Sequence, residues 1–221
     1  YDRLLKPIAS RVDRKNLIVV PHGALHYLPF AALHDGRDFL IDRYGIRIMP
    51  SAGAMKYLVA KRADRRGKLL VFGNPDLGDV RYDLAFAERE ALAVAGANPG
   101  ARVFLRKEAT VGAFVRHAGA FSQIHLATHG RFDPASPLKS ALLLAPEAGS
   151  NGLLTADLLY TLELAADLVT QSACETGLGG IANGDDLIGL TRGFLYAGSR
   201  SIVASLWKVD VLATAQLMAR F

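Results

Sequence analysis

Seven short apolar runs, most of them cut off by glycine or proline, limit what this chain can become. They are Asn16-Leu-Ile-Val-Val20, Leu69-Leu-Val-Phe72, Val103-Phe-Leu105, Ile124 to Thr128, Ala141-Leu-Leu-Leu-Ala145, Leu168 to Ala173 and Ser201 to Leu206. Runs this short, with little polar alternation, read as strands covered on both faces. Helix-forming stretches separate most of them. Ala85 to Ala95 carries the acidic pair Glu88 and Glu90 around Arg89, and Thr110 precedes Val111 to Ala118 as an N-cap. Thr155 precedes Ala156 to Leu162 in the same way, and Leu187 to Tyr196 stops before Gly198 as a helix C-terminus prefers. Strands alternating with helices at this spacing predict parallel βαβ units with right-handed crossovers. The fold class is therefore α/β, a three-layer α/β/α sandwich on a mostly parallel sheet. With 51% hydrophobic and 21% charged residues among 221, the chain can bury a core of that size.

Residues 66–221 form the main unit of this reading, and residues 1–65 an α/β portion packed against it. In that first portion Phe39 to Met49 has two apolar arms around Arg43 to Gly45, consistent with extended segments or a hairpin. Ser51 to Ala60 reads as a helix with Ser51 as its N-cap. The chain starts at Tyr1 and stops at Phe221 within a helix-like stretch, so a domain cut from a larger protein is expected.

The chemistry gathers at two strand ends. The run Leu168 to Ala173 leads into Cys174, the only cysteine, just before glycines 177, 179 and 180. The run Ile124 to Thr128 leads into His129 and Gly130, 45 residues earlier (174 minus 129). In open α/β sheets the carboxyl edge is where ligands bind. A lone cysteine there is a candidate nucleophile when a histidine can join it, although free cysteine is also among the most buried residue types. A cysteine–histidine dyad needs a thiolate, and an imidazole that takes the thiol proton and later protonates a leaving amine. It also needs N–H donors for the developing oxyanion, a task that suits the backbone of Gly130. His125, four residues before His129 on the same strand face, reads as structural. Asp133 is a weaker candidate for the cleft wall. Glu175, beside the cysteine, would raise a thiol pKa and so is no activator.

These segments carry a resemblance. His125-Leu-Ala-Thr-His-Gly130 and Gln171-Ser-Ala-Cys-Glu-Thr-Gly177 resemble the paired motifs of CHAT domains, caspase- and separase-like cysteine peptidases often found beside TPR repeats. Val20 to Leu33, Gly184 to Gly198 and Ser201 to Asp210 extend the likeness to nearly the whole chain. The resemblance implies a caspase-like fold and a cysteine endopeptidase that cuts a specific protein substrate. It implies His129 as base and acid, Cys174 as nucleophile, and the backbone N–H groups of Gly130 and Cys174 as the oxyanion hole. The segment after the last strand would bind substrate, with Ser205, Trp207 and Asp210 as the residues concerned. Val211 stands where family members often carry a second acid, which puts acidic selection of the residue before the cut in question. A TPR or other regulatory region is the expected companion, and no cofactor is expected. The competing reading is an interaction scaffold of the same fold with weak or absent catalysis.

The remaining signals point away from other classes. Net charge is +5, and the run Lys61 to Lys68 has no aromatic partners, so direct nucleic-acid binding is not expected. No apolar run reaches the roughly 18 residues of a membrane span, no signal peptide opens the chain, and one cysteine suits a reducing compartment. The expected address is the cytoplasm, with no membrane partner. His22, His26 and His34 sit in or beside turns without a carboxylate or thiol cluster, so no metal is assigned to them. Gly177 to Gly184 lacks the spacing of a dinucleotide loop, and no phosphate-binding lysine follows.

Overall fold

The computed structural model describes residues 1–12, 15–60, 68–133, 135–175, 184–205 and 209–221, with the side chains of 27, 59, 60, 173–175, 184–188 and 211 left aside. The chain divides into two compact units, Tyr1–Tyr57 and Leu58–Phe221. The boundary expected between residues 65 and 66 lies outside the described residues.

In the first unit β1 (Asn16–Val19) pairs in parallel with β2 (Gly45–Ile48), Asn16 opposite Gly45 and Val19 opposite Ile48. Between them α1 (Leu40–Arg43) makes one helical turn. The hairpin considered for Phe39 to Met49 is thus not formed. Asp42 accepts the Phe39 N–H at 2.9 Å and bends the first arm into a helix, leaving the second arm to pair with β1. Arg43 pairs with Asp35 and Asp38, and Phe30, Leu40 and Met49 are buried. α2 (Ala54–Ala60) follows a turn in which Ser51 Oγ accepts the Ala54 N–H, three residues after the expected start. His34 Nδ1 accepts the Gly36 N–H, a turn-stabilising role.

The second unit runs β3 (Leu69–Pro75), α3 (Ala85–Gly96), β4 (Arg102–Arg106), α4 (Val111–His117), β5 (Gln123–Arg131), β6 (Ala141–Leu143), β7 (Leu153–Thr155), α5 (Ala156–Leu159), β8 (Leu168–Glu175), α6 (Gly184–Ala197), β9 (Ile202–Ala204) and α7 (Val211–Met218). The parallel strands lie in the order β4-β3-β5-β8-β9. β3 accompanies β5 only over residues 123–127, and from residue 129 onward β6 pairs antiparallel with β5, followed by β7. The apolar run at Ala141 is therefore not a further parallel strand. The link from β5 to β6 is too short for the dozen or more residues a parallel crossover needs. This is a mixed α/β fold with a mostly parallel sheet flanked by helices, as the alternation predicts.

Strand alternation divides the core into two layers. On one face Leu70, Phe72, Ile124, Leu126 and Val169 pack with Phe114 of α4, Leu159 of α5 and Phe194 of α6. The Phe72 ring lies 5.7 Å from Phe114, which meets Phe194 edge-on at 6.3 Å. On the other face Leu69 and Val71 pack against Ala91 of α3. Gly73 belongs to this second face, where an added Cβ would stand 2.3 Å from the Ala91 Cβ. Glycine lets α3 lie this close to the sheet. Local caps hold the helices as their sequences suggest: Thr110 Oγ1 accepts from Ala113 N–H at 3.1 Å, and Thr155 Oγ1 from Leu158 N–H at 3.4 Å. Each such cap contributes about 1 kcal/mol.

Candidate active site

β5 and β8 are register partners along their whole shared length, and His129 lies opposite Cys174. The alternation that puts positions 125, 127 and 129 on the α3 face puts positions 170, 172 and 174 there too. Adjacent strands run about 4.8 Å apart, so positions 129 and 174 are neighbours across the sheet. β5 runs three residues beyond the Thr128 end expected from sequence, where β6 pairs with it, and β8 runs two beyond Ala173, pairing as far as Glu175.

His129 is 7% exposed. Its Nε2 lies 2.8 Å from the main-chain carbonyl of Tyr82, in the loop between β3 and α3, and the Tyr82 ring meets the imidazole edge-on at 6.0 Å. A carbonyl oxygen only accepts, so Nε2 must carry the proton, and Nδ1 is the basic nitrogen of the neutral ring. Burial lowers the His129 pKa below its ordinary 6.5, and the Tyr82 hydrogen bond partly opposes that shift. At neutral pH the ring is therefore uncharged, the form a general base needs. Once protonated, the imidazolium keeps its hydrogen bond to Tyr82. No third partner could be assigned from sequence, because a backbone carbonyl leaves no signature in residue type.

A buried polar group lies one step down the same face. His125 is 2% exposed, and its Nδ1 is 2.6 Å from Thr170 Oγ1 on β8. Its Nε2 stands 3.0 Å from Glu90 Oε1 of α3, a close ion-pair contact not aligned as a hydrogen bond. The Ser172 hydroxyl donates to Glu90 Oε2 at 3.0 Å. His125 is structural, as its position in the strand suggests. The sequence shows Glu90 only as one of an acidic pair with Glu88, although it falls on the buried side of α3 with Ala87 and Ala91, at spacings of three and one. A charged residue on the apolar stripe was the available signal.

The other expected site residues are placed as follows. Gly130 lies within β5 opposite Glu175 and Leu142, and an added Cβ would stand 3.1 Å from the Phe132 ring. Ser205 follows β9 and is half-buried. Trp207 lies outside the described residues. Asp210 is the N-cap of α7, where Oδ1 accepts the Ala213 N–H at 2.8 Å. Asp133 organises its own loop, accepting from the N–H groups of Ala135 and Ser136. Beside Tyr82 is a pocket of about 280 Å³ whose lining includes Asp76, Asp79, Asp83 and Arg106. Among the described residues no three histidine, cysteine or carboxylate side chains converge as a metal site, and no helix is long and apolar enough to cross a membrane.

The family model described as CHAT domain matches residues 1–221. The chain belongs to the CHAT domain family. Its sheet is accordingly of the caspase-like kind. This CHAT domain is 26% identical over its whole length to Tetratricopeptide repeat protein 28 of Mus musculus, and 25% identical to the protein of that name from Homo sapiens. The chain spans 11% of the length of each of these relatives.

Proposed function

We propose that this CHAT domain is a cysteine endopeptidase with Cys174 as nucleophile and His129 as base and acid. The observation that carries the reading is the His129–Cys174 register pair at the carboxyl ends of two central parallel strands, with the His129 ring anchored through Nε2 on Tyr82. The Cys174 thiol gives its proton to His129 Nδ1, and the thiolate attacks the peptide carbonyl carbon. The oxygen that becomes negative is held by the N–H groups of Gly130 and Cys174. Collapse breaks the C–N bond as the imidazolium protonates the leaving amine. A water deprotonated by His129 then attacks the thioester, and the thiol is restored.

Substrate lies extended along the free edge of β9, which pairs only with β8 among the described residues. Main-chain hydrogen bonds there supply affinity, and Ser205, Trp207 and Asp210 shape side-chain choice. α7 occupies one oxygen of Asp210, and among the described residues nothing takes the other, which would meet a basic residue. Both relatives are named for tetratricopeptide repeats, which supports a TPR region as regulator in the parent chain. A protein substrate in the cytoplasm completes the reading.

The test is cleavage of a proteome-derived peptide library by the parent protein and by its Cys174→Ala variant. Cuts that vanish with the cysteine support the peptidase. Their absence, with candidate activators present, favours the interaction scaffold.

A further inference from the structure

Asn74 and Arg106 are the only non-glycine residues with positive φ among the described residues, at 44° and 52°. They lie together, at the ends of β3 and β4. The β3–β4 register passes from Gly73 opposite Leu105 to Pro75 opposite Arg106, so Asn74 is the extra residue of a bulge. Bulges and left-handed side-chain-bearing residues recur beside functional sites, where they re-aim a side chain. Here both residues reach the same acceptor. Asn74 Nδ2 donates to Asp83 Oδ1 at 2.6 Å and to Glu88 Oε2 at 3.0 Å, and Asn74 Oδ1 accepts the Leu84 N–H at 2.8 Å. Arg106 pairs with Asp83 Oδ1 from the solvent side. The amide of Asn74, 1% exposed, thus has both donor hydrogens and its acceptor engaged within residues 83–88. The residue just before this clamp is Tyr82, whose carbonyl holds His129 Nε2.

We propose that Asn74, assisted by Arg106, is a positioning residue for His129: the two fix the 82–84 loop segment so that the Tyr82 carbonyl selects the Nε2–H tautomer. Asparagine is required because aspartate would face two carboxylates without a proton to give, and alanine would have nothing to hold Leu84. The same contacts keep the Asp83 carboxyl below its usual range, Asn74 contributing most. The clamp's catalytic meaning rests on the proposed role of His129, but its geometry does not.

The test measures ring ¹⁵N shifts of His129 in the 221-residue chain, with His129→Gln assigning the signal among six histidines. Asn74→Gly keeps a backbone free to adopt positive φ and deletes only the clamp. The expected result is a wild-type ring held as Nε2–H and a variant ring moved toward the mixed tautomers of free imidazole. Arg106→Gly, at a side chain 39% exposed, should move it the same way by less, and judges the proposal should Asn74→Gly fail to fold. An unchanged tautomer in a folded variant overturns the clamp. Where library cleavage is found, Asn74→Gly should lower kcat on the order of 100-fold with KM little changed, as for a group displaced by about 1 Å. Absence of all cleavage would count against the peptidase alone, since the tautomer still reports on the clamp.

Discussion

Removing the Glu90 carboxylate should be among the costliest single changes in this domain. The side chain is 1% exposed and serves the buried His125 Nε2 and the half-buried Ser172 Oγ, each at 3.0 Å. Glu90→Ala leaves an imidazole and a hydroxyl facing a cavity. Breaking a buried pair by deleting one partner costs about 3–5 kcal/mol, a large share of the roughly 5–15 kcal/mol that a folded domain has in total. With a urea dependence of about 2–3 kcal/mol per molar, the unfolding midpoint should fall by about 1–2.5 M. Removing both partners is a different perturbation. Glu90→Leu combined with His125→Leu should return to within about 1–2 kcal/mol of the parent, because apolar replacement of a buried pair escapes its desolvation penalty. Urea unfolding of the parent, both single variants and the double variant closes the cycle. A Glu90→Ala cost below about 1 kcal/mol, or strictly additive leucine substitutions, would refute the view of these side chains as one coupled unit.

Other outcomes follow from single contacts. Gly73→Ala drives a methyl into Ala91 of α3 and should cost about 1–3 kcal/mol, read from the same urea curves. Asp210→Ala should lose about 1 kcal/mol of helix capping, whereas Asp210→Asn should keep it. If Asp210 also selects a basic residue, Asn at that position loses the selection without the stability, which library profiling would detect. His129 has a folded pKa below 6.5, so between that value and 6.5 the unfolded chain binds the extra proton. Stability should therefore rise with pH through this window and level off above it, and His129→Gln should remove that part of the rise in urea titrations at several pH values.

What the sequence discloses depends on whether the cause is local. Thr110 and Thr155 were legible as caps because the accepting hydroxyl and the N–H that donates to it lie three residues apart, and the β5 and β8 runs because burial on both faces demands apolar residues. The pairing of His129 with Cys174 was readable from two strand ends once the sheet was taken as parallel. The antiparallel turn of β6 and the existence of β7 were not, since Ala141 to Leu143 is as apolar as a central parallel strand would be. Asp210 was read as a substrate contact from the family resemblance, and the cap it makes on α7 is a second task at the same residue. Tyr82 was invisible for a deeper reason, since any residue type has the carbonyl it contributes.

The pieces of the site come from three separate places in the chain. Tyr82 precedes His129 by 47 residues, and Cys174 follows it by 45 (174 minus 129). The Tyr82 hydrogen bond requires the β3 and β5 segments to have met, and the His129–Cys174 register requires β8 to have joined them. Contacts between segments this distant form only after loop-closure entropy has been met, late compared with the nearby β5–β6 turn. An incompletely synthesised or partly unfolded chain can therefore contain His129 in a strand and still have neither its anchor nor its cysteine. On the proposed peptidase reading, reactivity arises only with the finished sheet, and a damaged or half-made copy is inert and not indiscriminately destructive.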